Sequence, residues 1–188
     1  MPKSRVHETI YSRADLLTGL SDEIWGYAET AFVEDRSVEA LCRVLRQAGF
    51  EVQTGVCGVR TAFCARFGSG EPVIGLLGEY DALFGLSQRS GLTGKEPLEP
   101  GAPGHGCGHN LLGAGALGAA IAVAEYLERS GGPGTVIFYG CPGEEGGSGK
   151  AFMAREGIFN GLEAAVTWHP GSLNMVSSGS SLANIQVA

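Results

Sequence analysis

The sequence predicts an α/β domain, an open and mostly parallel sheet sandwiched between helices in three layers. Three observations predict it. Residues 73–77, 135–139 and 164–168 are short, near-continuous apolar runs, as in strands buried on both faces of a parallel sheet. Helical segments at 110–129 and 148–156 separate those runs, so the order is strand, helix, strand, helix, strand. Of the 188 residues 44% are apolar and 18% charged, enough apolar side chain for one full domain with a sizeable core.

Taken in order, Val6, Ile10, Ala14, Leu17, Ile24 and Ala28 recur at helical spacing, so residues 5–29 read as one amphipathic helix. His7 lies on it as a solvated surface side chain. A second helix follows over 37–48, with Ala40, Leu41, Val44 and Leu45 inward, Cys42 packed among them and Gly49 closing it. Residues 50–54 and 60–67 read as strands; in the second, Thr61, Phe63, Ala65 and Phe67 alternate with Arg60, Ala62, Cys64 and Arg66. Cys57 and Cys64 could meet across this pair, but they read as two free thiols. Residues 87–103, rich in Gly, Pro and Ser, form a long surface loop. No repeat or low-complexity segment interrupts the chain.

Each apolar strand runs out at its C-terminal end into residues capable of chemistry: Glu79 and Asp81, then Glu144 and Glu145, then His169. Open parallel sheets bind ligands outside the carboxyl ends of their strands, so these groups converge if the fold is right. Between the first two lies Gly-His-Gly-Cys-Gly-His-Asn (104–110), which sets Cys107 and His109 two residues apart in a glycine-loosened loop. The apolar run 111–124 follows, which places Cys107 just before a helix N-terminus, where the macrodipole favours thiolate. Thiol, imidazoles and carboxylates together suit zinc, manganese or nickel. Adjacent carboxylates in an extended segment point to opposite sides, so one of Glu144 and Glu145 can bind a metal while the other reaches a water. The same pair also fits an acidic turn before a helix.

Other chemistries fall away. Gly113, Gly115 and Gly118 match a dinucleotide-binding string, but follow no strand and lack the acidic residue about twenty positions on. They read as close-packing positions in a buried helix. No nucleophile elbow is present. A net charge of −7 with scattered Lys and Arg argues against nucleic acid and anionic membrane surfaces. The first ten residues lack an apolar signal segment, and the 14-residue run from Leu111 falls short of a membrane span. Five irregularly spaced cysteines point away from a disulfide framework and toward a reducing cytoplasm.

With these residues assembled, the chain resembles the zinc-dependent aminoacylase, carboxypeptidase and dipeptidase family of metallo-exopeptidases, and within it the aminobenzoyl-glutamate amidohydrolase branch. The resemblance rests on Gly-Glu-Tyr-Asp-Ala-Leu (78–83), Gly-His-Gly-Cys-Gly-His-Asn-Leu-Leu (104–112), Gly-Cys-Pro-Gly-Glu-Glu-Gly-Gly (140–147) and Trp-His-Pro (168–170), in family order. It implies the zinc-exopeptidase type of sheet and two divalent metal ions, zinc first, held by Cys107, His109, Glu145 and His169. Glu144 is then the general base, and Asp81 orients a ligand or tunes that base. The implied reaction is hydrolysis of the amide of N-acyl or aminobenzoyl amino acids, or of small dipeptides, by a water that two metals activate. His105 is not a ligand by this resemblance. Phe84 stands where the family has proline, and Asn110 where the auxin-conjugate branch has aspartate. Family members are much longer, with a lid and dimerisation domain and one more histidine ligand. Residues 1–180 are then expected to be the N-terminal part of the catalytic domain, residues 181–188 the start of the missing lid, and the full-length parent a homodimer. The alternative is a truncated, catalytically incomplete metal-binding fragment without turnover.

Overall fold

The computed structural model describes residues 3–173 and residue 175. A five-stranded sheet in the order β1-β2-β4-β3-β5 forms the middle layer, built from β1 (Glu51–Thr54), β2 (Phe63–Ser69), β3 (Val73–Gly78), β4 (Gly134–Gly140) and β5 (Ala164–Val166). Strands β3, β4 and β5 run parallel, while β2 is antiparallel to both β1 and β4. The predicted open, mostly parallel sheet between helices is the observed architecture.

Side-chain alternation along β4 separates the two faces. Val136 and Phe138 join the larger core with Leu20, Ile24, Leu41, Leu45, Leu117 and Ile121. These come from α2 (Ala14–Tyr27), α3 (Asp35–Gln47) and α4 (His109–Ser130). Ile137 and Tyr139 face the other way, toward Met153 of α6 (Gly149–Arg155), Phe159 and Leu162. Helix α4 has 22 residues and is apolar enough to cross a bilayer by length and composition, yet most of it is buried within this fold. Its glycines are the predicted close-packing positions. A Cβ at Gly113 would lie 2.7 Å from the Glu79 carbonyl oxygen, at Gly115 2.7 Å from Trp168 and at Gly118 2.9 Å from Leu17.

Three expectations need correction. The helix predicted over 5–29 is two, α1 (Lys3–Tyr11) and α2. The Ser12 hydroxyl donates to the Thr9 carbonyl at 2.9 Å, and Arg13 adopts φ −114°, ψ 13°, so the backbone leaves the helical path before α2 restarts. The third apolar run is no doubly buried strand either. Residues of β5 are exposed, because β5 lies at the sheet's edge and pairs only with β3 among the described residues. The pair Glu144 and Glu145 is not extended: it opens a kinked helical turn, α5 (Glu144–Gly147), because Gly143 (φ 62°) and Gly146 (φ 157°) bend the chain on either side.

All five cysteines are free, Cys42 in the core as expected. Residues 181–187, read as a further strand, and the domain boundary at 181 lie outside the described residues.

Candidate metal centre

Strand β3 ends at Gly78 and delivers Glu79 and Asp81, both buried. The chain then leaves in the long loop and returns. Leu83 and Gly104 close its base with a reciprocal pair of backbone hydrogen bonds, 3.1 and 3.0 Å, although Phe84 itself is exposed. This closure sets residues 105–109 beside the end of β3. Asn110 at the start of α4 donates its amide to the Ser21 hydroxyl at 3.0 Å and ties α4 to α2. His105, expected beside the ligands or solvated, is half-buried. Its Nε2 donates to the Ile24 carbonyl at 3.1 Å, and burial drives its imidazole down to about 4, so it is neutral. Trp168 donates its indole N–H to the Leu112 carbonyl at 3.1 Å, which holds the following His169 against α4.

The predicted site residues meet. The Asp81 carboxylate accepts from Nδ1 of His109 at 2.9 Å and from the Glu145 backbone N–H at 2.8 Å. Nε2 of His109 then faces the acids: 3.1 Å from Glu79 Oε2, and 3.9 Å from both Glu144 Oε2 and Glu145 Oε1. The Cys107 sulfur lies 3.3 Å from His169 Nε2. His169 Nδ1 meets the Pro170 carbonyl at 2.9 Å, an acceptor, so Nδ1 carries the proton and Nε2 is free to accept. The ligand atoms of Cys107, His109 and His169 lie within 4.8 Å of one another, and so do those of Glu79, His109 and Glu144.

The electrostatics ask for a cation. Burial raises the Asp81 carboxyl, but its bonds to His109 and to the Glu145 N–H outweigh this and hold it below the usual range. Burial lowers His109, while Asp81, Glu79 and Glu145 pull it back above its ordinary value. Burial and the Glu145, Glu144 and Glu79 carboxylates push the Cys107 thiol up to about 11. That corrects the expected thiolate for the metal-free chain: burial, and after it the acids opposite, outweigh the helix terminus, whereas a bound cation favours the thiolate. His109 Nε2 and Glu145 Oε1 are buried with no hydrogen-bond partner among the described residues. Unpaired buried polar atoms are costly, and here both face a set of sulfur, nitrogen and oxygen donors. The residues present fit a divalent metal.

Glu79 was expected among the converging groups but had no role assigned to it. Its carboxylate lies between His109 and Lys150 of α6, with which it forms an ion pair. The signal was its place at a strand's C-terminal end, two residues before Asp81.

A model of one protein family matches residues 75–181, more than half of the chain and all of the candidate ligands just described. The chain belongs to peptidase family M20/M25/M40. This M20 chain is 51% identical over 183 residues to a subunit of the p-aminobenzoyl-glutamate hydrolase of Escherichia coli (strain K12), a match covering 97% of this chain and 38% of that protein. It is 32% identical over 185 residues to the Xaa-Arg dipeptidase of Mus musculus, covering 92% and 39%. A crystal structure of a dinuclear metal-binding M20 peptidase from Bacillus subtilis superposes with a TM-score of 0.62 at 25% identity, covering 88% of this chain and 43% of that one. The chain therefore spans well under half the length of the curated relatives it matches.

Proposed function

We propose that this M20 chain carries the metal centre of a hydrolase for the amide bond of small N-acyl amino acids, aminobenzoyl amino acids or dipeptides. The observation that carries the reading is the closeness of Cys107, His109 and His169, within 4.8 Å, to a second group of Glu79 and Glu144 that shares His109. The ions, zinc first with manganese or nickel behind it, would be two and would be held by Cys107, His109, Glu145 and His169, Glu145 Oε1 lying 3.9 Å from His109 Nε2. The substrate class follows from the relatives: an aminobenzoyl-glutamate hydrolase and an Xaa-Arg dipeptidase both carry names of amides with an amino acid on one side.

When bound, such ions acidify a water and polarise the amide carbonyl. Asp81 keeps the His109 proton on Nδ1 and so turns Nε2 to the centre. Glu144, its side chain 46% exposed, takes a proton from the attacking water and returns it to the nitrogen as the C–N bond breaks. The products are a carboxylate and an amine. Lys150 holds Glu79 in place through their ion pair. Assembly is part of the proposal: a homodimer of the longer protein, or a pairing with a different chain, as the E. coli relative's name suggests for that protein. The five free thiols fit a reducing cytoplasm.

The test loads the chain with zinc or manganese and offers aminobenzoyl-glutamate, N-acetyl amino acids and dipeptides. Steady hydrolysis that Glu144→Gln abolishes, with metal content unchanged, is the expected result. Full turnover in Glu144→Gln removes Glu144 as the base. Bound metal without turnover selects the second reading, a metal-binding module inactive by itself.

A further inference from the structure

We infer that Glu34 and Phe32 are positioning residues, a strut and a cover that hold the α5 turn so that Glu144 and Glu145 face the metal centre. In this role the inference rests on the proposed metal reading. Residues 29–34 run past the site: the Ala82 N–H donates to the Glu29 carbonyl at 2.8 Å, one residue beyond Asp81. Glu34 occupies the N-cap of α3 but makes no side-chain cap there. Its carboxylate is fully buried and turns the other way, accepting from the Gly143 N–H at 2.8 Å. Gly143 directly precedes Glu144. The capping of α3 falls instead to Glu29, which accepts from the backbone N–H groups of Arg36 at 3.0 Å and Ser37 at 2.9 Å. Glu34 is thus released from the helix it precedes, and its carboxylate reaches across the fold to the turn bearing the general base.

Phe32 supplies the second contact. It holds φ at 64°, a left-handed conformation that a bulky aromatic residue adopts at a cost. Its ring lies across the α5 turn: a Cβ at Gly143 would sit 2.9 Å from the ring, and one at Gly147 would collide with it. Arg60 pins the strained segment from outside, donating to the Phe32 carbonyl at 3.1 Å and pairing with Asp35. A buried acid and a strained aromatic, from one short segment, therefore converge on the two ends of a single turn. Burial of an acid without a cation against it is unfavourable, and so is left-handed phenylalanine; both persist where a local geometry is being held.

The experiment compares the chain with E34Q, E34L and F32A, by zinc affinity in chelator competition, by thermal stability, and by amide hydrogen exchange of Gly143 without metal. Gln keeps an oxygen for the Gly143 N–H; Leu does not. Expected is zinc binding weakened about 10–100-fold in E34L, the usual range for losing a group that orients a ligand, and native affinity in E34Q. Gly143 exchanges slowly in the chain and in E34Q, and faster in E34L and F32A. A folded E34L with native zinc affinity overturns the inference, as does E34Q as weak as E34L. Should E34L not fold, fast exchange of Gly143 in the unsubstituted chain still overturns it, and slow exchange there and in E34Q sustains it. If the unsubstituted chain binds no zinc, the metal reading fails, and the exchange of Gly143 alone decides whether the strut exists.

Discussion

Asp81 joins two parts of the candidate site with one carboxylate: Oδ1 accepts from His109 Nδ1 at 2.9 Å while Oδ2 accepts from the Glu145 N–H at 2.8 Å. One side chain at the end of β3 thus orients the imidazole of α4 and fixes the backbone of a second candidate ligand after β4. Replacing it should loosen both. Asp81→Ala is expected to weaken zinc binding by at least about 10–100-fold, the range typical of a lost carboxylate behind a ligating histidine. Chelator competition on the purified variant measures this, with circular dichroism to show that it folds.

Metal binding should release protons. The Cys107 thiol, pushed up to about 11 by burial and the neighbouring acids, is protonated at neutral pH in the metal-free chain. His109 also sits above its ordinary value, and a ligand must be deprotonated. Apparent zinc affinity is therefore expected to rise with pH between about 6 and 8, about tenfold per unit for each proton released. Titration calorimetry in buffers of different ionisation enthalpy counts those protons.

Glu34 predicts a pH dependence of stability. Burial raises its carboxyl above the ordinary carboxylate range, against the pull of the Thr61 hydroxyl and backbone N–H donors. A raised folded-state value contributes stability that is fully present below the unfolded value and lost as pH rises through the folded one. The stability of the metal-free chain relative to Glu34→Gln should then fall as pH climbs from the ordinary carboxylate range upward. Urea unfolding of both proteins across that range gives the difference directly.

Two glycines separate packing from propensity. Gly19 lies exposed within α2 with nothing within 4 Å of an added Cβ, so Gly19→Ala should gain about 0.8–1 kcal/mol of helix propensity. Gly113→Ala offers the same gain but drives a methyl to 2.7 Å from the Glu79 carbonyl. Overpacking of that kind costs about 1–3 kcal/mol, so this variant is expected to lose stability and to shift Glu79. Denaturant midpoints of the two variants should move in opposite directions.

How much was readable from the chain follows from where each interaction is written. Gly-rich segments bearing His, Cys and Glu after apolar runs mark the site directly, since a parallel sheet gathers its strand ends. The glycines of α4 were legible as packing positions because no strand precedes them. Glu34 carries no such mark: an acid just before a helix reads as an N-cap, and its partner lies 109 residues away. The role of Asn110 was hidden for the same reason, because its bond to Ser21 spans 89 residues. Local signals also misjudged the backbone around Glu144 and Glu145, where Gly143 and Gly146 at positive φ turn an expected extended segment into a helical turn. At Ser12 the break in the first helix depends on a hydroxyl that competes for the Thr9 carbonyl, which hydrophobic periodicity does not register.

The central claim is that side chains from separate loops share a cation. Equilibrium dialysis of the metal-free chain against zinc, with bound metal read by mass spectrometry, tests it most directly. Tight, near-stoichiometric binding is expected, and Cys107→Ala and Glu145→Ala should each abolish it in folded protein. Zinc bound equally well by both variants, or not bound by the chain at all, would contradict it.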